Sequence, residues 1–174
     1  MQSRFLLIPF ATLAIVSPAS ATVYMSIEQA QKLMFPGATL MPEFRELSRE
    51  QASAVEKASG VSVRNRTLRI WRVSTGGWFI ADEVVGKHEY IPFALGLDDA
   101  GTVMAVEILE YRESYGGEIR NAAWREQFRG KRHGANLKLN ADIQNISGAT
   151  LSSRHITDGV KRLLATYALV CAQD

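Results

Sequence analysis

Apolar side chains in the first third of the chain recur at helical spacing in two segments. Ser26 opens the first segment, and Ser48 opens the second, where Gln51 completes a capping box. Gly60 follows the last apolar position of the second segment and marks its end. The pattern therefore predicts two short helices and a helical N-terminal part over residues 22–66.

From Thr67 onwards the apolar positions alternate with polar ones, which is the period of β-strands. Two hairpin turns interrupt this pattern, one at Gly76-Gly77 and one at residues 98–101. The segment therefore predicts four antiparallel strands. Pro92 lies in the third strand, and because proline donates no backbone hydrogen bond, we expect that strand to lie at an edge or to begin irregularly.

A short helix is predicted directly after the sheet. Gly116-Gly117 break the chain, and Asn121 stands where a helix cap is expected. Trp124 and Phe128 follow four residues apart and share one helical face. We expect both aromatic side chains to pack in the core.

The last predicted element is a long amphipathic helix from about Ser153 to Cys171, preceded by a polar loop over residues 131–146. Its apolar face consists of Ile156, Val160, Leu163, Leu164 and Tyr167. With no repeat or linker, the order of elements predicts one α+β domain. In this fold class, an antiparallel or mixed sheet of about four to five strands packs with helices.

The first 21 residues have the pattern of a secretory signal peptide. Arg4 supplies a positive start, residues 5–16 are apolar, and Ala19 to Ala21 resemble a cleavage site. We expect cleavage after Ala21 and a mature periplasmic protein of residues 22–174. The alternative is an uncleaved anchor, but the apolar run is shorter than the roughly 20 residues of a spanning helix.

Charge and cysteine content argue against several classes of partner. Loss of Arg4 with the signal leaves 19 basic residues against 18 acidic ones, with the signs interspersed. The mature chain thus has no basic patch of the kind that binds nucleic acid. The single cysteine, Cys171, has no partner for an internal disulfide, and we expect it to pack as a small apolar side chain.

Common catalytic patterns are missing from the sequence. His88, His133 and His155 are too scattered for a zinc site. The chain also lacks the G-x-S-x-G pattern of serine hydrolases and a G-x-G-x-x-G nucleotide motif after a strand. No catalytic or metal-binding residue is predicted.

The stretch ISGATLSSRH, residues 146–155, joins the polar loop to the long helix. Gly148 and Ala149 leave room for a bulky group near the backbone. A helix starting at Ser152 or Ser153 would direct its free N–H groups and its dipole towards Thr150, an arrangement that suits a phosphate. On the residues alone, an ordinary strand–turn–helix junction is the simpler interpretation.

The stretch SGATLSSRHITDGV closely resembles the flavinylation motif of the FMN-binding domain family, which includes the C subunit of the sodium-translocating NADH:quinone reductase and the G subunit of the Rnf complex. The resemblance extends to Gly86–Ser114 and Gly116–Lys131. It implies that Thr150 carries FMN through a phosphoester bond, installed by a separate flavin transferase that uses FAD and magnesium. Gln144 occupies a position where the family usually has an acid.

The resemblance also implies a flavin-binding core over residues 67–174, with flavin contacts in two regions. The motif contributes Ser147, Gly148, Ala149, Leu151, Ser152 and Ser153 around Thr150. The remaining expected contacts are His88, Tyr115, Gly116, Gly117 and Trp124. Among these, the adjacent glycines let the backbone approach a planar ring closely.

The letters GATL occur a second time at Gly37–Leu40. Thr39 follows a Pro-Gly-Ala sequence, and Met41-Pro42 rather than a pair of serines comes after it. We interpret this copy as a decoy.

The resemblance implies an exported electron carrier with covalent FMN, a flavin transferase as its maturation partner and a membrane electron-transfer protein as its redox partner. Two alternatives remain open. One is a flavin-dependent extracytoplasmic reductase of a small acceptor, and the other is a binding module that keeps the fold without the flavin.

Overall fold

An antiparallel sheet forms the centre of the structure, a computed structural model that describes residues 22–172. The strands are β1 (Thr22–Val23), β2 (Leu40–Pro42), β3 (Arg45–Glu46), β4 (Thr67–Val73), β5 (Trp78–Val85), β6 (Tyr90–Leu97), β7 (Val103–Ile108) and β8 (Glu110–Tyr111). The helices are α1 (Ile27–Met34), α2 (Arg49–Ser59), α3 (Ala122–Arg125) and α4 (Thr150–Thr166). Two 3₁₀ turns, Gly117–Arg120 and Glu126–Phe128, flank α3, and a π turn, Tyr167–Cys171, extends α4.

The predicted four-stranded core of the sheet is confirmed. The strand order is β2-β4-β5-β6-β7, with β3 also paired to β4, and every pair is antiparallel. A separate ladder joins β1 to β8. Strands β1 to β3 lie in the part of the chain predicted to be helical. The sequence does not predict them, because two or three residues are too few to show a period of two.

The expectation for Pro92 was wrong. Strand β6 is an interior strand that pairs with both β5 and β7, and its register with β5 is continuous from Tyr90 to Leu97. The carbonyl of Pro92 still accepts a hydrogen bond of 2.9 Å from the Leu109 N–H. Proline lacks only its own backbone N–H. An interior strand therefore tolerates proline at a position where the neighbouring strand has no carbonyl that would accept a hydrogen bond from that N–H.

The two predicted N-terminal helices are confirmed together with their caps. Ser26 and Ser48 each accept a hydrogen bond from the backbone N–H three residues later, and each helix has a complete capping box. Gly60 ends α2 in the left-handed conformation, with φ of 70°. These caps are local, which is why the sequence predicts them well.

Helix α4 crosses one face of the sheet and buries the five apolar residues predicted for its face. Gly159 lies at the crossing, where an added Cβ would stand 2.7 Å from Val84 Cγ1 and 3.0 Å from Phe93 Cζ. The opposite face of the sheet packs against Met34 and Phe35 at the end of α1. The sheet is therefore covered on both faces.

The predicted signal peptide, residues 1–21, lies outside the described residues. Within residues 22–172, no helix is both long enough and apolar enough to cross a membrane. Cys171 is buried at the end of the chain, as expected for a packing side chain.

Candidate functional site

The motif residues form a tight turn followed by the first turn of α4. The Ala149 N–H donates to the Ile146 carbonyl at 3.0 Å and closes the turn over Ser147 and Gly148. Gly148 has φ of +83°, a conformation that favours glycine. No described atom lies within 4 Å of the position that a Cβ would take there. The motif therefore opens onto free space beside Thr150.

Helix α4 begins at Thr150 and not at Ser152 or Ser153, so the predicted start was wrong. The Ser153 N–H donates to the Ala149 carbonyl at 2.9 Å, and this first helical hydrogen bond places Ala149 at the cap position. The N–H groups of Thr150, Leu151 and Ser152 consequently have no acceptor within α4. Thr150 is therefore the first residue of the helix end that would face an anion, whereas the sequence predicts it before that end.

The Thr150 side chain is exposed, and its hydroxyl has one hydrogen-bond partner within residues 22–172. Asn145 Nδ2 donates a hydrogen bond of 2.9 Å to Thr150 Oγ1. Leu151 is also exposed, whereas Ser152, Ser153 and Ala149 are buried. Asn145 is not among the residues predicted from the sequence. Its only signal there is an amide side chain five residues before Thr150, on the far side of a turn.

The structure brings the Gly-Gly loop against the motif residues Ala149 and Ser152. The Tyr111 hydroxyl donates to the Tyr115 carbonyl at 2.5 Å and lies 2.8 Å from Ser152 Oγ. Since the phenol has a single hydrogen, the Ser152 hydroxyl is the donor in the second bond. A Cβ at Gly116 would stand 3.0 Å from Ser152 Oγ and 3.4 Å from Ala149 Cβ. Tyr111, at the end of β8, therefore joins the loop to α4.

Burial raises the pKa of the Tyr111 phenol above its usual value, although the hydrogen bond from Ser152 acts in the opposite direction. The phenol is therefore protonated at neutral pH and keeps its donor role. Tyr111 was missed by the sequence analysis because its role depends on a contact with Ser152, 41 residues further along the chain.

We expect Tyr111→Phe to lower the free energy of unfolding by about 1–2 kcal/mol, because the Tyr115 carbonyl and the Ser152 hydroxyl each lose a partner. Urea unfolding followed by circular dichroism would measure this change. Tyr90→Phe is the matched control, since Tyr90 is 56% exposed, and we expect it to change stability by less than about 0.5 kcal/mol. Equal stabilities for the two variants would contradict the role of Tyr111.

Three further residues predicted to contact the flavin, namely Tyr115, Gly117 and His88, differ in their surroundings. Tyr115 is 84% exposed, and Gly117 has no described atom closer than 3.9 Å to an added Cβ. Tyr115 is therefore accessible beside the motif, and Gly117 is half-buried with space for a side chain. His88 is exposed, and its backbone N–H donates to Glu113 Oε1 at 2.6 Å. No hydrogen bond or ion pair in residues 22–172 joins the His88 side chain to the motif, so its flavin contact stays a prediction.

Trp124 is buried, which confirms its expected place in the core. Its ring makes an edge contact with Phe128, with centroids 5.2 Å apart. The indole N–H donates to the Gln144 carbonyl at 2.7 Å. Trp124 thus fixes the segment before the motif, and its predicted place beside a flavin stays untested.

Asp142 is the acidic residue closest to position 144, where the family usually has an acid, and its role is structural. Asp142 accepts hydrogen bonds from the Leu137 and Lys138 N–H groups and pairs with Lys131 Nζ at 3.3 Å. Partial burial acts to raise the pKa of this carboxyl, but the backbone hydrogen bonds and Lys131 outweigh it and lower the pKa. Asp142 therefore closes the loop and does not substitute for the acid that Gln144 replaces.

A cavity of about 520 Å³ lies beside α4, between the loop after α2 and the second half of β5. Its polar lining from α4 is His155, Asp158 and Arg162, spaced three and four residues apart. Arg162 pairs with Asp82 at 2.8 Å. Burial raises the pKa of Asp158, opposed by the nearby charge of His155. The sequence signal for this cavity is the spacing of these polar residues along a mostly buried helix. The cavity is not among the features predicted from the sequence.

The second GATL copy has a different setting. The Thr39 N–H donates to Ser74 Oγ at 3.0 Å, and the Thr39 carbonyl accepts from the Ser74 N–H at 2.8 Å. Strand β2 follows at Leu40, so no free helix end faces Thr39. The arrangement favours the interpretation of this copy as a decoy.

Residues 86–165 match the family model described as FMN-binding domain. The crystal structure of NqrC from Shewanella oneidensis has a similar fold, with a TM-score of 0.51 and 16% sequence identity over 74% of this chain and 70% of that chain. No curated protein matches the chain by sequence. The predicted α+β class is confirmed.

Proposed function

We propose that this protein carries FMN covalently on Thr150 and transfers electrons outside the cytoplasm, as a member of the FMN-binding domain family whose model residues 86–165 match. One observation carries the proposal: the hydroxyl of Thr150 is exposed at the first residue of α4, beside the open turn at Gly148. A phosphoester requires a hydroxyl that an enzyme can reach, and buried Ser152 and Ser153 do not meet this condition.

The residues around Thr150 suit a flavin phosphate. The three N–H groups at the start of α4 that have no acceptor within the helix are donors for phosphate oxygens, and the helix dipole favours negative charge there. At an exposed site the dipole contributes only about 0.3–1 kcal/mol. A covalent bond would therefore be needed to keep the flavin attached where it is not easily replaced.

Bound FMN supplies the redox chemistry, while the protein supplies position and electrostatics. The half-buried Gly117 backbone and the exposed Tyr115 side chain would provide a surface beside the motif for the flavin ring. The hydrogen bonds of the Tyr111 hydroxyl keep this loop in contact with Ser152 of α4. These contacts support the proposal that the attachment point and the ring surface lie on one connected part of the fold.

Two partners follow from the proposal. A flavin transferase using FAD and magnesium would install the group, and a membrane electron-transfer protein would exchange electrons with it. The fold shared with NqrC, together with the resemblance to the quinone-reductase C subunit, supports the second partner. Flavin absorbance that stays with acid-precipitated, denatured protein after expression with a transferase would support covalent attachment. Complete release of the flavin would favour a module without covalent flavin.

The cavity beside α4 favours one alternative function, a reductase of a small acceptor. It provides His155 and Asp158 as groups that exchange protons, and its size is typical of small-molecule sites. Oxidation of the reduced, flavin-loaded protein by purified membranes and by soluble acceptors would separate the two functions. Turnover with a soluble acceptor alone would favour the reductase.

We expect the mature protein to begin at Thr22 and to be recovered in the periplasmic fraction, because the first 21 residues have the pattern of a cleavable signal. Cell fractionation followed by N-terminal sequencing would test this. A chain that keeps Met1 in the membrane fraction would indicate an uncleaved anchor instead.

A further inference from the structure

Asn145 lies beside the acceptor threonine without belonging to the motif. Its Nδ2 donates to Thr150 Oγ1 at 2.9 Å. Its Oδ1 is buried and accepts no hydrogen bond from any residue that the structure describes. A buried amide oxygen without a partner is unfavourable. The position of Asn145 is therefore not explained by satisfying its own hydrogen-bonding groups, since one of them is buried without a partner.

The backbone that carries Asn145 is fixed to the core on its N-terminal side. The Gln144 carbonyl accepts from Trp124 Nε1, and the Gln144 N–H donates to Gln127 Oε1, each at 2.7 Å. Ile143, one residue earlier, is fully buried. Because Gln144 directly precedes Asn145, the amide reaches Thr150 from a rigid support.

The Thr150 hydroxyl has no capping role in α4. Ala149 occupies the N-cap and provides no side-chain hydrogen bond. Threonine in a helix divides between two χ1 rotamers, so the Thr150 hydroxyl needs a partner to hold it in one direction. The Asn145 amide is that partner.

We propose that Asn145 is a positioning residue that presents the Thr150 hydroxyl for flavin transfer, an inference that rests on the function proposed above. In that reaction Thr150 Oγ1 bonds to the phosphorus on the FMN side of FAD. The bond from that phosphorus to the bridging oxygen breaks, AMP leaves with this oxygen, and the hydroxyl proton passes to solvent. Nothing is oxidised or reduced. Donation from Nδ2 holds the oxygen without engaging the proton that must leave.

The test is the rate of labelling of purified, unlabelled protein by a flavin transferase with FAD and magnesium. Initial rates from intact-mass spectra, measured over a range of protein concentrations, give kcat and KM for the acceptor protein. We expect Asn145→Ala to lower kcat about 10- to 100-fold, since a small misplacement of a reacting atom has an effect of this order. Because the docking surface is unchanged, KM should remain within about twofold.

Asn145→Asp separates hydrogen-bond donation from packing, because aspartate has the size of asparagine and lacks the donor. We expect it to lose kcat as Asn145→Ala does, with a circular dichroism spectrum like that of the wild type. Asn136→Ala changes an exposed asparagine in the preceding loop and should keep the wild-type kcat.

Several results would overturn the inference: a wild-type kcat in either Asn145 variant, a loss confined to KM, or a loss of kcat in the Asn136 control. If Asn145→Ala does not fold, Asn145→Asp decides the question, and unfolding of both variants would assign Asn145 to the fold. A wild-type chain that takes no flavin would instead refute the proposed function, which keeps the two failures distinct.

Discussion

Thr150→Ala is expected to abolish covalent FMN, because alanine has no hydroxyl to form the ester. The wild-type chain, co-expressed with a flavin transferase, should gain the mass of one FMN less one water, and the labelled peptide should contain Ser147–Ser153. Intact-mass and peptide mass spectrometry would measure both. The fold should persist, since the Thr150 side chain is exposed and outside the core.

Thr150→Ser is the matched variant for this experiment, because it keeps a hydroxyl and should keep at least partial labelling. The Thr39→Ala variant, in the second GATL copy, should be labelled with FMN to the same extent as the wild type. Wild-type protein expressed without the transferase should show no increment. An increment that persists in Thr150→Ala and maps to Thr39 would move the attachment site to the N-terminal copy.

Gly116→Ala is expected to have the largest effect on stability in the site, a loss of about 2–4 kcal/mol in the free energy of unfolding. Gly116 has φ of 96°, where a residue with a Cβ is strained. The added Cβ would also stand 2.5 Å from the Tyr111 hydroxyl oxygen and 3.0 Å from Ser152 Oγ. Both the strain and the overlap are unfavourable. Urea unfolding of the unlabelled protein would measure the loss.

Gly117 is the natural control, because it is adjacent to Gly116 and free of both constraints. Its φ is not positive, and an added Cβ would find no described atom closer than 3.9 Å. Gly117→Ala should therefore change stability by less than about 1 kcal/mol. In loaded protein, Gly117→Val should alter the flavin absorption while labelling of Thr150 remains intact. Equal stability losses for Gly116→Ala and Gly117→Ala would contradict the packing argument, and an unchanged spectrum would place the ring elsewhere.

The predictions from sequence that succeeded depend on interactions between residues close in the chain. The capping boxes at Ser26 and Ser48 join positions three residues apart, and the hairpin turn at Gly76-Gly77 needs only local conformations. Such signals can be read from a few adjacent letters. The same holds for the apolar face of α4, whose spacing follows from the helical period alone.

The predictions that failed required knowledge of distant partners. Proline is unfavourable in an interior strand only if the neighbouring strand needs its missing N–H, and the sequence does not show which groups lie opposite Pro92. In the structure, the Pro92 carbonyl accepts a hydrogen bond from the Leu109 N–H. The start of α4 was placed at Ser152 or Ser153 because serine is a common cap. Both side chains are buried instead, and Ser152 donates to Tyr111. Burial of a serine against another segment thus overrode its preference for a cap.

The sequence alone determined the helices, the four long strands, the fold class and the resemblance that marks Thr150, since periodicity, caps and a contiguous motif are all local properties of the chain. Only the tertiary structure decided the surroundings of that threonine. It placed Thr150 on the helix end itself, joined the Gly116 loop to α4 through Tyr111, and brought the Asn145 amide to the hydroxyl. These contacts depend on how the sheet edge, the loops and the helix pack together, and a linear pattern carries no record of that packing.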